Sequence, residues 1–431
     1  MPVTEPVIVQ ESDQDRAAAA AIRGESLFVT GKAGTGKSTL LRFLQSKIPN
    51  MIVVAPTGVA AINVGGQTIH SVFRLNPHIL EYDEQSPLPY KQASLLKYAG
   101  CIAVDEVSMV RPDLMTLVDR RLREATKKDK PFGGKQMLFF GDPWQLPPVL
   151  ESNTLSGYLV KKFGGCHFFH CSSLREHGVK LAELRHIYRQ TDQGFITLLN
   201  SIREDTDLYK TLPELNTRVN DSIKHEESKA MFLTTTNKDA EQTNNQRLHN
   251  LPGTARKFTC TITGTFNDSH LPADKVLHLK AGARVMMLKN GEEYVNGSLG
   301  TVTDFDATGL PYVDLDNGQY IKVAQDKWQN VRYTLDEGHD VPKIRTEIIG
   351  EFIQLPVRLG FAVTIHKAQG HTFDRVHIDL GRGAFANGQT YVALSRCRTL
   401  DGITLERPID ASDVWTDSTL RGFREFFPQT I

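Results

Sequence analysis

Short runs of consecutive apolar residues, each stopped by glycine, proline, a hydroxyl or a carboxylate, recur down this chain. Leu27-Phe28-Val29, Met51-Ile52-Val53-Val54-Ala55, Cys101-Ile102-Ala103-Val104 and Met137-Leu138-Phe139-Phe140 come first; Met231-Phe232-Leu233 follows in the second half, and Ala283-Arg284-Val285-Met286-Met287-Leu288, broken by one arginine, reads as another strand. Runs without polar alternation predict strands covered on both faces, as in parallel sheets with crossover helices. Helical patterns lie between them, at Leu40, Leu41 and Leu44 and at Leu114, Leu117, Val118 and Leu122, with another running from Glu11 through the Ala17–Ala21 block. From Asn296 to about Gln354 the pattern turns to short alternating strands, with tight turns at Gly309 and Asn317-Gly318. That predicts a small β-barrel set into a second sheet. Asn76-Pro77, Pro87 and Pro89 interrupt residues 74–99, which read as a small insertion, a hairpin or a linker. The expected division is 1–180 and 181–431, both α/β, with insertions at about 74–99 and 296–354.

The chemistry collects at the strand ends, where parallel sheets hold their ligands. After the first run, Gly31-Lys32-Ala33-Gly34-Thr35-Gly36-Lys37-Ser38-Thr39 fits G-x-x-x-x-G-K-[ST]. Gly34 and Gly36 let backbone N–H groups turn around an anion at a helix N-terminus. Lys37 brings a point charge to the outer phosphates, and the Ser38 hydroxyl can ligate the accompanying magnesium. A nucleoside triphosphate is the expected ligand. Gln14 can pair with adenine's edge and so select ATP, or be an ordinary exposed helical Gln. The third run ends in Asp105-Glu106, the acid expected beside magnesium and the base expected to orient or deprotonate water. The fourth ends in Gly141-Asp142-Pro143-Trp144-Gln145, where Gln145 is placed to sense the outer phosphate and Trp144 is expected in the core.

Other strand ends carry small hydroxyls, amides and imidazoles. Thr57, with Gly58 beside it, is followed by Thr68, His70 and Ser71. These residues either hold phosphates of a second, non-nucleotide ligand or cap helices. The pattern repeats with Thr234 and Asn237, with Asn244 a turn or two into the next helix. His366, beside Lys367, Gln369 and Gly370, is placed to report between the two ligands.

Composition narrows the partner. The 431 residues carry 50 Lys plus Arg against 50 Asp plus Glu, so positive charge for nucleic acid must be concentrated in a groove. The densest basic stretch is Arg120, Arg121, Arg123, Lys127, Lys128 and Lys130. The five cysteines form no C-x-x-C pair, and Cys166 to Cys171 alternates like a strand without zinc spacing. Reduced thiols in a cytoplasmic protein are expected. No run approaches the ~18 apolar residues of a membrane span. The acidic N-terminus is unlike a signal or transit peptide.

In order, Gly34–Thr39, Ala55–Ala61, Val104–Met109 and Gly141–Val149 resemble motifs I, Ia, II and III of superfamily 1 helicases. Lys130-Pro131-Phe132-Gly133-Gly134-Lys135-Gln136 resembles the signature segment of the Pif1 family. Leu184–Gln190, Thr364–Thr372 and Tyr391–Arg398 resemble motifs IV, V and VI. The resemblance implies two tandem RecA-like parallel-sheet domains, a small insertion in the first and an SH3-like β-barrel insertion in the second. It implies ATP and Mg²⁺ as cofactors, with Gly370 on the nucleotide side. Arg189 and Arg396 become trans-acting fingers, each inside a matched motif, and such a cation is worth ~10³–10⁵ in rate. It also implies a monomer moving 5′→3′ on single-stranded DNA and acting on forks, RNA–DNA hybrids and G-quadruplexes; the insertion at 74–99 is expected to carry the wedge that splits the duplex. Motifs close to both ends lead one to expect a bacterial or phage protein associated with the nucleoid. An RNA-directed relative would be stimulated by RNA rather than DNA. A remodelling ATPase would ignore both.

Overall fold

The computed structural model describes residues 12–76, 85–150, 152–219, 229–266, 271–336, 338, 342–427 and 429–431. Six strands form the first sheet: β1 (Leu27–Gly31), β2 (Met51–Ala55), β3 (Gln67–Thr68), β4 (Cys101–Val104), β5 (Gln136–Phe140) and β6 (Lys180–Leu184). Their order is β3-β2-β4-β5-β1-β6, all parallel. Each apolar run serves two cores at once. Phe28, Ile52, Val54, Ile102, Val104, Met137 and Phe139 face one layer. Leu27, Val29, Met51, Val53, Cys101, Ala103, Leu138 and Phe140 face the other. Successive strand residues point to opposite faces, so a sheet covered on both sides needs every position apolar.

The second sheet contains β7 (Met231–Thr234), β18 (Ala362–Thr364), β19 (Val376–Asp379) and β20 (Ile403–Leu405), parallel in the order β18-β7-β19-β20. Its core takes Phe195, Leu198, Leu199 and Ile202 from the helix Gln193–Glu204, and also Ala33 and Leu146 from the first half. That shared core turns the strand ends of the two sheets toward one cleft.

Between β7 and β18 lies an antiparallel module. β8 (Arg256–Thr259) pairs with β10 (Val276–Leu279). β11 (Arg284–Met287), β12 (Leu299–Phe305), β13 (Pro311–Leu315), β14 (Tyr320–Lys322) and β17 (Val357–Leu359) form a five-stranded sheet, and β9 (Thr261–Gly264), β15 (Asp326–Asp336) and β16 (Lys343–Gln354) a three-stranded one. The β15–β16 hairpin reaches back to the first half. The backbone N–H of Val53 donates to Tyr333 Oη at 3.1 Å, and Asn50 Nδ2 donates to the Pro342 carbonyl at 3.2 Å.

Several expectations change. The boundary at 180/181 falls inside β6, whose pairing with β1 keeps Lys180–Leu184 in the first sheet. The tail also returns there, with the Phe427 ring 5.0 Å from Phe28 and a bridge from Thr430 to Leu181. The β-rich insertion begins at Arg256, well before 296, because exposed strands such as β8 lack the clean alternation used to find them. Residues 90–98 of the expected insertion form a helix, Tyr90–Tyr98, whose Leu95 and Leu96 pack into the first core. Residues 77–84 of the insertion or hairpin expected in 74–99 lie outside the described residues. Cys166–Cys171 is not a strand: a 3-10 turn at Phe168–His170 buries Phe168 and Phe169 together. The five cysteines are free, and His167 Nε2 lies 2.8 Å from Asp417 Oδ2.

The basic stretch is also smaller than its sequence. Arg121 is buried, donating to Glu124 Oε2 at 2.7 Å and to the Ser86 carbonyl at 2.6 Å. Arg123 pairs with Asp119 and Asp129. The buried Asp119 also accepts from Ser173 Oγ at 2.9 Å and from the Phe132 N–H, tying the signature segment to the helix Pro112–Thr126.

Candidate nucleotide and nucleic-acid site

The loop between β1 and the helix Lys37–Lys47 takes the form its glycines allow. Gly34 and Gly36 lie at φ 82° and 84°, and a Cβ on either would collide, with Arg189 Cβ at 2.4 Å or with Gln14 Nε2 at 2.3 Å. Gln14 Nε2 donates to the Thr35 carbonyl at 2.9 Å, and the exposed Tyr188 ring lies beside Gly36. Lys37 Nζ donates to the Gly31 carbonyl at 2.6 Å, and burial lowers its pKa. Ser38 and Thr39 are exposed in the first turn of the helix, at the mouth of the loop.

On the same side of the cleft, two strands from β1, Asp105 and Glu106 follow β4. Burial raises both carboxyls, and for Glu106 the adjacent Asp105 charge adds to it, bringing it to about 7. The charges of Lys37 and Arg396 pull Glu106 back the other way. Gln369 of the second half donates from Nε2 to Glu106 Oε2 at 3.1 Å and to Gln145 Oε1 at 3.4 Å. Gln145 Nε2 in turn donates to Asp142 Oδ2 at 3.2 Å.

Both arginines come from the second half's side of the cleft. Arg189 is anchored on the carbonyls of Ser395 at 3.2 Å and Gly370 at 3.3 Å; burial lowers its pKa to about 10, so it stays cationic at neutral pH. Its charge reaches Lys37. Arg396 is fully buried, and its donors are taken by the carbonyls of Val392, Ala368 and His371 and by Ser395 Oγ. Burial, then the nearby Arg189, drives its pKa well down.

Matches to known proteins agree with this geometry. The family model described as PIF1-like helicase matches residues 10–207, and that of the DNA helicase Pif1 2B domain matches 266–305. Human ATP-dependent DNA helicase PIF1 is 33% identical over 417 residues, covering 94% of this chain and 61% of that protein. Bacteroides sp Pif1 in complex with ADP-AlF4 superposes with a TM-score of 0.87 at 36% identity, covering 99% of this chain and 97% of that one. Bacteroides Pif1 bound to ssDNA gives 0.67 at 36% identity, covering 98% and 97%. The chain belongs to the Pif1 helicase family. It spans about three-fifths of the length of the curated relatives first matched.

Of the residues expected from sequence, this Pif1-family chain gathers Gln14, Lys37, Asp105, Glu106, Gln145, Arg189, Gly370 and Arg396 around one cleft. The second set is more dispersed in role. Thr57 and Thr68 cap helices, accepting from the N–H groups of Ala60 and Ser71, each at 3.3 Å. Thr234 is buried and its hydroxyl closes a turn on the Thr236 carbonyl, so Thr235, Thr236 and Asn237 are what that strand end presents. Asn244 is a bracket: its amide donates to and accepts from the backbone of Ala362 at 2.8 and 2.9 Å, satisfying the edge strand β18. His366 and Lys367 line a groove with Asn237, Thr364 and Phe385. Burial lowers the His366 pKa.

Sequence reasoning assigned no role to Gln369, Arg203, Tyr188 or Phe385. Gln369 and Tyr188 sit inside matched motifs, so a signal existed. Phe385, in Gly383-Ala384-Phe385-Ala386-Asn387-Gly388, and Arg203, beside Glu204 near a helix end, carry no local pattern.

Proposed function

We propose that this chain is an ATP- and Mg²⁺-dependent DNA helicase that moves 5′→3′ along single-stranded DNA. Its expected substrates are forks, RNA–DNA hybrids and G-quadruplexes. The observation that carries the reading is Gln369 of the second half donating to Glu106 and Gln145 of the first, so the hydrolytic site is complete only when the halves meet. Since both halves lie in one polypeptide, a monomer suffices as the motor.

ATP would lie on the Gly34–Thr39 loop, with Gln14 and Tyr188 at the base and Arg189 beside the phosphates. The relative solved with ADP-AlF4 supports an adenine nucleotide as the ligand. The donor set fits magnesium: the exposed Ser38 hydroxyl and the Asp105 carboxylate are few and hard, suiting an ion that keeps several waters and phosphate oxygens. Bound there, it would neutralise charge on the phosphates. Glu106 accepts the proton of the attacking water, Gln145 and Gln369 orient the water, and Arg189 and Arg396 offset the charge that develops as the outer phosphoryl leaves.

The DNA would cross both sheets. Thr57, Gly58, Thr68, His70 and Ser71 lie on one side; Thr235, Asn237, His366 and Lys367 lie on the other. Phe385, 56% exposed with its ring 6.0 Å from His366 and 14° from parallel, would supply a surface for a base. The relative bound to ssDNA supports the ligand. Closure on ATP and release after hydrolysis would shift the grip between the sheets, giving one step per turnover.

The test is unwinding of forks carrying a single 5′ or 3′ tail. Only the 5′-tailed fork should open, and Lys37→Ala should open neither. Opening of the 3′-tailed fork alone would reverse the direction; ATP turnover indifferent to single-stranded DNA would end the motor reading.

A further inference from the structure

One ionised pair in the cleft has no part in the chemistry described so far. Arg203, near the end of the helix Gln193–Glu204 in the second half, is 6% exposed. Its Nη2 donates to Asp142 Oδ1 at 2.9 Å, with both side chains almost wholly buried, and its guanidinium lies 5.2 Å from the centre of the Trp144 ring. Asp142 and Trp144 belong to the first half, in the segment just after β5. The other oxygen of that carboxylate, Oδ2, accepts from Gln145 Nε2 at 3.2 Å. Gln145 Oε1 then meets Gln369 Nε2 at 3.4 Å, and Gln369 donates to Glu106 at 3.1 Å. The line Arg203–Asp142–Gln145–Gln369–Glu106 therefore crosses between the halves at both ends.

An amide side chain has two ends of nearly equal shape and opposite hydrogen-bonding sense, so its orientation must be set by a neighbour. A carboxylate only accepts, which forces the NH₂ end of Gln145 toward Asp142 and its oxygen toward the reacting centre. A buried carboxylate needs a cationic or hydrogen-bonding partner to hold its place. The Trp144 N–H donates to the same Oδ1 at 3.2 Å, and Arg203 is the cationic partner, arriving from the opposite half. We infer that Arg203 is a positioning residue for hydrolysis: when the halves meet, its Nη2 hydrogen bond to Asp142 holds the carboxylate that fixes the Gln145 amide against Gln369 and Glu106, so turnover depends on closure. This rests on the hydrolytic reading of the cleft.

The experiment is a double-mutant cycle on DNA-stimulated ATP turnover. Arg203→Met should lower kcat by at least about tenfold while KM for ATP stays within about threefold, since Arg203 acts in the reacting state without touching nucleotide. In a Gln145→Ala background the same change should cost less than about twofold, because the residue through which it acts is gone. A simple staple between the halves predicts the reverse, with KM and DNA affinity altered and fold-losses that multiply. Multiplying losses, or an unchanged kcat, would overturn the inference. If Arg203→Met does not fold, judged by its melting transition, Arg203→Lys carries the same cycle, keeping the charge but losing the planar fork. A wild-type protein without ATP turnover would sink the hydrolytic reading instead.

Discussion

Glu106 shows how one residue's surroundings set its task. Its backbone is left-handed, at φ 48°, a conformation that costs a non-glycine residue on the order of 1 kcal/mol or more and that clusters at functional sites. Burial and the Asp105 charge lift its carboxyl to about 7, while Lys37 and Arg396 oppose the rise. The ionised form is the base, and it is present above that value. Turnover measured as kcat/KM, which reports the free enzyme, should therefore climb with pH through about 7 and be lost below it. Glu106→Gln should bind ATP with little change and lose hydrolysis at every pH; a rising limb that survives in this variant would assign the titration elsewhere. The Asp-Glu pair at a strand end was legible in sequence, whereas its burial and Gln369 partner come from residues far away in the chain.

At the scale of elements, the groove is made by loops after three strands. Thr235–Asn237 follow β7, His366 and Lys367 follow β18, and Phe385 lies beyond β19. Hydroxyls and amides at strand ends can be read locally, and so were Thr234, Asn237 and Asn244. Which of them is free cannot, because the turn on Thr236 and the edge of β18 use up Thr234 and Asn244. Phe385 gives the element-level prediction. Stacking on an aromatic ring is worth about 1–3 kcal/mol per base, so Phe385→Ala should weaken single-stranded DNA binding by roughly five- to a hundredfold, and Phe385→Trp should retain it. Fluorescence anisotropy with a labelled oligonucleotide decides; equal affinity of the alanine variant would leave the ring as surface decoration.

For the whole molecule, the question is whether closure drives the chemistry. Arg189 packs on Gly34 across the cleft, and the Arg396 charge reaches Glu106, although its donors are held by carbonyls of its own half. Arg396→Ala should slow DNA-stimulated turnover by roughly 10²–10³-fold, the usual cost of losing one donor to developing charge, while single-stranded DNA affinity survives. Normal turnover in this variant would remove the trans-acting cation from the mechanism. Loss of both turnover and DNA binding, with a lowered melting temperature, would make Arg396 a packing residue.

The chain alone determined the parallel sheets, the phosphate loop and the carboxylate pair, because each is a pattern of neighbours whose physics acts over a few residues. Continuous apolar runs mark strands buried on both faces, and glycines before a lysine mark a turn that cradles an anion. Tertiary structure decided what depends on distant segments meeting: that Arg121 is an internal brace, that the C-terminal tail returns to Phe28, and that Arg203 reaches Asp142. Burial and ion pairing are set by whatever lies opposite in space, and a single line of residues does not record what that is.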